Sequence, residues 1–361
     1  MKMRKIVCSF MISVLCFMTA ISGVSATSYD TSKINAAYSK VVEYYKNNNN
    51  LNNADKILAV ESLGLEAESN QFDTSSADLS STSLSKKIVT EVLLGVDPTE
   101  DKKTLESQID ENGNVEGSWG ASSDVWTLYA LYVTSSEKAN LIANKLNDEL
   151  AASSVCGYEW GGTYYADYDT TGWVIEGLAV VNKEKYATTI NKAIDYIKNN
   201  TTMTTTGWVT ADNVDTQSQV LEGMFAYDTN ALLNDSYTVH PVDCLLNTQL
   251  SDGSFPSGYN AEYTTAEVAK TLGTYKNGSV IIKAKKAYDK MMNPEQPDNT
   301  KPAQPTDTKK DSQSTNKVET TNQKTTSVKT GDETNVVIFV SLSMVSGGLF
   351  LVLRKEYERV H

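Results

Sequence analysis

Aromatic and acidic side chains recur at matching positions of four sequence segments, and together they could bind a ligand. The segments, 122–131, 169–178, 215–224 and 263–272, align without gaps, and the matching positions share one helical face. Aromatic walls with a few polar groups are typical of a small-molecule pocket, and carboxylates favour a cation or a hydroxyl-rich ligand. The predicted ligand-binding residues are Trp126, Tyr129, Asp169, Trp173, Glu176, Asp215, Gln219, Glu222 and Glu267.

The same face has a second interpretation that involves no ligand. Two aromatic residues at helical spacing, such as Trp126 and Trp173, commonly belong to a hydrophobic core. The acids of the face would then be solvated. The sequence leaves both interpretations open.

Catalytic chemistry has only weak candidates, the acids Asp167 and Asp169. Tyr168 lies between them, and a phenol with a pKa of about 10 is too weak an acid to replace a carboxylic acid as a proton donor. The chain has two histidines, His240 and His361, which disfavours histidine-based catalysis and multi-histidine metal sites. We predict no metal and no cofactor, and an enzyme is the less favoured interpretation.

The charge of the chain excludes one class of partner. It has 45 acidic and 32 basic residues and a formal net charge of −13. Neutralising phosphates requires an excess of Lys and Arg, so we predict no binding to nucleic acid. The arginines, Arg4, Arg354 and Arg359, lie at the two ends, so the body of the chain offers no guanidinium for a phosphate or carboxylate.

The four aligned segments are predicted to be helices of a repeat. Their last residues are 47, 46 and 48 residues apart, and a fixed period in this range indicates a stacked supersecondary unit. Further helices are expected at 54–64, 84–95, 137–151, 183–199, 242–250 and 279–292. Residues of capping type open the four segments, at Ser123, Thr170, Thr216 and Thr264. Two helices per unit in five to six units predict an all-α ring.

One stretch of this repeat resembles a known superfamily. The sequence Gln249-Leu250-Ser251-Asp252-Gly253-Ser254-Phe255 is similar to the Gln-x-x-x-Gly-x-Trp/Phe repeat of squalene cyclases and protein prenyltransferases, and Asp169-Thr170 and Asp215-Thr216 resemble helix starts of that group. The resemblance covers about 54–292 and implies an α–α toroid with a central lumen. The aligned face would line the lumen, and Trp119, Trp160, Trp208 and Phe255 would lie at its rim.

The superfamily contains enzymes, carriers and binding modules, so the fold alone does not choose a function. Class II terpene cyclases use an Asp-x-Asp-Asp-Thr motif, which here has Ala166 and Tyr168 in place of its first two acids. Prenyltransferases hold zinc with separated Asp, Cys and His residues, whereas His240, Asp243 and Cys244 are adjacent here. We therefore favour a non-catalytic binding module for a carbohydrate, a small amphiphile or a protein. A cyclase- or prenyltransferase-like enzyme and a corrinoid (cobalamin) carrier are the alternatives.

The N-terminal end of the chain indicates export. Residues 1–26 contain basic residues, an apolar run and a small-x-small site, the pattern of a secretory signal peptide. Cys8 and Cys16 would leave with it. Cys156 and Cys244 remain in the exported domain, 27–292, either as one disulfide or as two buried thiols.

The C-terminal end indicates attachment to the cell surface. Residues 293–327 are rich in Pro, Thr and Lys and are predicted to be a disordered stalk. Residues 328–361 contain a predicted transmembrane helix, 336–353, and a basic tail. This order resembles the sorting signal of Gram-positive surface proteins, with Ser327-Val328 in place of the usual Leu-Pro. The resemblance implies that a sortase cuts between Thr330 and Gly331 and joins Thr330 to peptidoglycan in the cell wall. A plain membrane anchor is the alternative.

Overall fold

A computed structural model describes residues 28–68, 72, 80–204, 207–208, 213–235, 237–258 and 260–294 of the chain. They belong to one unit, Met1–Pro294, and the second unit, Glu295–His361, lies outside the described residues. The predicted signal peptide, nearly all of the predicted stalk and the predicted sorting signal lie outside them too. None of the helices in the described ranges is both long enough and apolar enough to cross a membrane.

The described chain is mostly helical, which confirms the predicted all-α class. The helices are α1 (Ser32–Asn47), α2 (Ala54–Ser62), α3 (Ser81–Leu93), α4 (Thr99–Ser107), α5 (Ala121–Val133), α6 (Ala139–Ser153), α7 (Tyr168–Asn200), α8 (Val214–Asn234), α9 (Pro241–Leu246), α10 (Ala261–Asn277) and α11 (Val280–Met292). The four aligned segments lie on α5, α7, α8 and α10, and the predicted further helices also form, whereas α1 and α4 were not predicted. Both α7 and α8 contain a break in helical geometry, at Asn182 and Asp228.

Six helices contact one another in a closed order, and we call them the closed set. In this set α2 contacts α3, α3 contacts α5, α5 contacts α7, α7 contacts α8, α8 contacts α10, and α10 contacts α2. Two of these contacts need glycine. A Cβ atom at Gly172 would lie 2.4 Å from the carbonyl oxygen of Gln219, and one at Gly273 would lie 2.5 Å from Oγ of Ser62. The backbones of neighbouring helices therefore approach closely at these points.

The remaining helices pack against the closed set in two different ways. Each of α1, α4, α6 and α9 contacts one or two of its members. By contrast, α11 contacts α2, α3, α5 and α10. Its residue Lys283 pairs with Glu61, near the end of α2. Burial and the carboxylate of Asp289 raise the pKa of Tyr132, near the end of α5. We predicted 279–292 as one more helix between repeat units. It lies instead against the C-terminal ends of α2 and α5.

The helix caps lie earlier in the sequence than predicted. The side chain of Asp167 caps α7, that of Asn213 caps α8 and that of Asn260 caps α10, each by accepting a backbone N–H within the first turn. The predicted caps Thr170, Thr216 and Thr264 lie inside the helices. Asp and Asn compete well for the N-cap because their short side chains reach the free N–H groups.

A two-stranded hairpin, which was not predicted, precedes α7. Strand β1 (Gly157–Trp160) pairs antiparallel with β2 (Thr163–Ala166). The two-residue turn between them, Gly161-Gly162, has φ angles of 59° and 79°. Positive φ at both central residues suits a hairpin and favours glycine, so the paired glycines were the signal for this element.

The two cysteines of the described residues are unpaired. Cys156 and Cys244 are both buried and free, so the alternative of a disulfide between them is wrong. Burial raises the pKa of the Cys156 thiol to about 12, which keeps it protonated and unreactive.

Candidate functional site

The aligned positions on α5, α7, α8 and α10 form three levels along these helices. The upper level lies nearest the helix N-termini, and the lower level lies nearest α11. The upper level consists of Ser122, Asp169, Asp215 and Tyr263; the middle level of Trp126, Trp173, Gln219 and Glu267; and the lower level of Tyr129, Glu176, Glu222 and Lys270.

The structure brings predicted residues of different helices into contact. The rings of Trp126 and Trp173 lie 6.0 Å apart. The hydroxyl of Tyr129 donates a hydrogen bond of 3.0 Å to Oε2 of Glu176. These contacts join α5 to α7. A further predicted pair joins α8 to α10, because Nε2 of Gln219 donates to Oε2 of Glu267 over 3.2 Å.

The lower level is a buried network of charged and polar groups. Nζ of Lys270 lies 3.0 Å from Oε2 of Glu267 and 3.8 Å from Oε2 of Glu222. The hydroxyl of Ser279, which precedes α11, donates a hydrogen bond of 2.6 Å to Oε1 of Glu176. The network therefore connects α7, α8 and α10 with the start of α11.

The acids of this network are buried rather than solvated. Glu176, Glu222 and Glu267 have exposed fractions of 3%, 2% and 1%. The interpretation in which the acids face water is therefore wrong for these three, although Trp126, 3% exposed, is part of the core as that interpretation expected. Burial raises the pKa of all three carboxyls, most strongly that of Glu222.

Lys270 completes the network as a cation. Burial acts to lower its pKa, but the carboxylates of Glu267 and Glu222 outweigh burial and raise it. Lys270 therefore stays an ammonium ion. As an ammonium it can pair with anions, but it is a poor nucleophile, which argues against Schiff-base chemistry at this lysine.

The two weak catalytic candidates have different environments. Asp167 accepts hydrogen bonds from N and Oγ1 of Thr170, at 3.1 and 2.7 Å, and so acts as a helix cap. Asp169 is partly exposed on the upper level, and burial together with the nearby carboxylate of Asp167 raises its pKa to about 7. Asp169 can therefore exchange a proton near neutral pH.

The middle level contains polar atoms that lack a hydrogen-bond partner. Within the described residues these are Nε1 of Trp173, Oε1 of Gln219 and Oε1 of Glu267. Gln219 and Glu267 are each 1% exposed. A buried polar atom without a partner costs about 1–3 kcal/mol. The middle level therefore has one donor and two acceptors to which a bound molecule would supply the missing hydrogen-bond partners.

Residues of α2 and α3 also reach this region, and the sequence analysis missed them. Lys86 pairs with Asp55 at 2.9 Å and lies 4.5 Å from the centre of the Trp126 ring. Lys270 lies 5.5 Å from the same ring. The loops before α2 and α3 differ from the repeat pattern, so these helices were not included in the alignment that revealed the face.

The predicted aromatic rim is only partly present. Trp119 is 60% exposed, as a rim residue would be. Trp208 and Phe255 are fully buried, so their assignment to the rim is wrong. They fill the hydrophobic core, where the backbone N–H of Phe255 donates to Oγ1 of Thr265. The side chain of Trp160 lies outside what the structure describes.

Hydrogen bonds to other protein groups involve all three members of the cluster His240, Asp243 and Cys244. Nδ1 of His240 accepts a hydrogen bond from the backbone N–H of Val242 and caps α9. Asp243 accepts a hydrogen bond from Tyr29, and Sγ of Cys244 donates to the carbonyl oxygen of Thr204. Within the described ranges, no group of three or more His, Cys, Asp or Glu side chains is placed to hold a metal ion.

The middle level, with the partly exposed upper level beside it, is the candidate ligand-binding site. It combines two indole rings with unpartnered donors and acceptors, the composition expected of a pocket for a small polar molecule. We compared the chain with protein-family models, with curated proteins and with solved structures, and none of the three comparisons found a match.

Proposed function

We propose that the chain is a non-catalytic binding module, an α–α toroid that holds a small polar ligand among its inner helices. In this proposal the closed set supplies the inner helices, and α1, α4, α6, α9 and the second half of α7 lie outside them. The closed order of helix contacts supports the proposal, because each member of the set contacts two others.

The ligand would enter from the N-terminal ends of the inner helices. Asp169, Trp173 and Tyr263 are partly exposed there. The opposite ends are covered by α11, which contacts four members of the closed set. Entry past the upper level would bring a ligand directly to the middle level.

The observation that carries the binding proposal is the set of unpartnered atoms on the middle level. Trp173 supplies a free N–H donor, and Gln219 and Glu267 each supply a free oxygen acceptor. Buried polar groups in folded proteins almost always have partners, so three exceptions on one level favour a site that a ligand fills.

A binding screen with matched variants tests this proposal. The full chain, purified in detergent, is screened against glycans and small metabolites, and hits are measured by calorimetry. We expect a hit whose binding is lost in Trp173→Ala and retained in Tyr132→Ala, because Tyr132 is a partly exposed aromatic residue near the C-terminal end of α5, away from the proposed entrance. A screen without hits, or hits that bind both variants equally well, would refute the proposal.

We further propose that the module is displayed on the outside of a Gram-positive cell. The signal-peptide pattern at 1–26 and the sorting pattern at 328–361 support this. A sortase would join Thr330 to peptidoglycan, and residues 336–353 would hold the chain in the membrane before that step. Cell fractionation tests the location, and recovery of the chain mainly from the cytosol contradicts it. Changing Thr330 and Gly331 together tests the covalent step, which is excluded if attachment to the wall persists.

A further inference from the structure

The hydrogen-bonding pattern of the middle level restricts the chemistry of its ligand. Two free acceptors, on Gln219 and Glu267, require at least two donors from the ligand, and the free N–H of Trp173 requires one acceptor. An ammonium group has three donors and no acceptor, whereas a hydroxyl group has both. A simple amine would therefore leave Trp173 without a partner.

The charges around the three levels favour a cation. Two lysines, Lys86 and Lys270, lie among six carboxyl groups that belong to Asp55, Asp169, Asp215, Glu176, Glu222 and Glu267. The phenols Tyr129 and Tyr263 add no charge, because burial raises their pKa well above 10. A bound cation would favour the ionised form of those acids whose pKa burial raises, so the site and a cation would stabilise each other.

Lys270 shows how an ammonium group fits at this position. Its Nζ lies 3.0 Å from Oε2 of Glu267 and 5.5 Å from the centre of the Trp126 ring. The other carboxylate oxygen of Glu267, Oε1, has no hydrogen-bond partner in the described part of the chain. One oxygen of the carboxylate is thus already paired with an ammonium ion, and the other oxygen is free to accept from a second donor.

Trp173 is the aromatic surface that remains for the ligand. The ring of Trp126 has the ammonium groups of Lys86 and Lys270 within 6 Å, whereas Trp173 is partly exposed and has an unpartnered N–H. An indole can contact the apolar face of a ligand ring and donate to one of its hydroxyl oxygens.

We propose that the middle level binds a protonated amine that also carries hydroxyl groups, of the class represented by amino sugars. The ammonium group donates to Oε1 of Glu267 and Oε1 of Gln219, and a hydroxyl oxygen accepts from Nε1 of Trp173. This inference rests on the proposed binding function and specifies its ligand.

Four related probes test the inference on the full chain in detergent. Glucosamine has the amine and the hydroxyls, glucose and N-acetylglucosamine have the hydroxyls without the charge, and cyclohexylamine has the charge without the hydroxyls. We expect glucosamine to bind at least about tenfold more tightly than each of the others, the effect of one good hydrogen bond or charge contact. Equal or tighter binding of a neutral sugar, or no binding of glucosamine, overturns the inference.

Variants locate the binding and separate it from folding. Trp173→Phe keeps a ring but removes an N–H that has no partner in the free protein, so we expect only a small fall in the unfolding midpoint, from the smaller ring, and about tenfold weaker glucosamine binding. Tyr132→Phe also keeps a ring and removes a polar group, but it lies near the C-terminal end of α5, away from the proposed entrance, so it is the control and should bind normally. In Glu267→Gln the preference for glucosamine over glucose should disappear. If Trp173→Phe binds glucosamine as well as the unaltered chain does, the inference is wrong.

The outcomes also separate this inference from the proposed function. A lumen ligand from the screen that depends on Trp173 but lacks an amine would leave the binding module in place and overturn the amine. If no compound binds in either the screen or the probe experiment, both proposals are wrong.

Discussion

The hydroxyl of Ser279 donates a hydrogen bond of 2.6 Å to Oε1 of Glu176, which connects the start of α11 to the middle of α7. The other carboxylate oxygen of Glu176 accepts from the hydroxyl of Tyr129 on α5. One buried carboxyl therefore holds together three parts of the chain that are far apart in sequence.

Replacing Ser279 with alanine should loosen α11. The change removes the hydrogen bond to Glu176 and the cap that Ser279 forms with the N–H of Ile281, a loss of about 2–3 kcal/mol in the free energy of unfolding. Urea denaturation followed by circular dichroism measures it. Ser39→Ala, at an exposed position on α1, is the control and should change the stability little. Equal stability of the two variants would show that the bond contributes nothing.

Lys270 and Glu222 should differ in their effect on stability. Lys270→Met leaves the buried carboxylate of Glu267 without its cation and should cost about 3–5 kcal/mol. Glu222→Gln should cost no more than about 1 kcal/mol, because burial raises the pKa of Glu222 and so favours its neutral form, which glutamine resembles.

The same denaturation experiment at lower pH checks the cause of the Lys270 effect. Burial raises the pKa of Glu267 in the folded state above its unfolded value, so the folded state binds the proton more readily. The deficit of Lys270→Met should therefore shrink as the pH falls toward 4.5. A deficit that is independent of pH would indicate lost packing instead of an unpaired charge.

Asp169 should make the protein less stable as the pH rises. Its pKa is about 7 in the folded state, against 3.8 for an ordinary aspartate carboxyl. Between these values the folded state binds more protons than the unfolded state, so stability falls with rising pH and the loss is complete above about 7. Unfolding free energies at several pH values should show a flatter profile for Asp169→Asn than for the exposed control Asp195→Asn. Parallel profiles would contradict the raised pKa.

Asp167 should behave as a helix cap. Asp167→Ala removes two hydrogen bonds at the start of α7 and should cost about 1–2 kcal/mol, whereas Asp167→Asn should retain most of the stability because asparagine caps equally well. Thermal unfolding of both variants measures the difference. If asparagine is as damaging as alanine, the negative charge matters and capping is not the main role.

The repeat made much of the fold and the candidate site predictable. Trp126, Glu176 and Glu267 were found because they occupy equivalent positions on one helical face, and the structure buries all three. Periodicity can reveal such a face because helix geometry places every third or fourth residue on the same side.

Other parts of the site depend on contacts that no local pattern records. Ser279 and Asp55 lie outside the aligned segments, and they reach the site only because distant helices pack together. Trp208 lies within two residues of a glycine, as the other loop aromatics do, yet the structure places it in the core. Whether an aromatic residue near a loop turns inward is decided by the tertiary packing around it.

The close approach of Gly273 to Ser62 has a consequence for the order in which the chain can fold. These residues join α10 to α2, two helices that are separated by nearly the whole length of the closed set. Chains are synthesised from the N-terminus, so α2 lacks its contact with α10 until α10 has been synthesised. Contacts between residues so far apart in sequence also slow folding. The apolar faces of α1 and α2 that contact α10 therefore stay uncovered until late in synthesis, and a chain truncated before α10 should aggregate there.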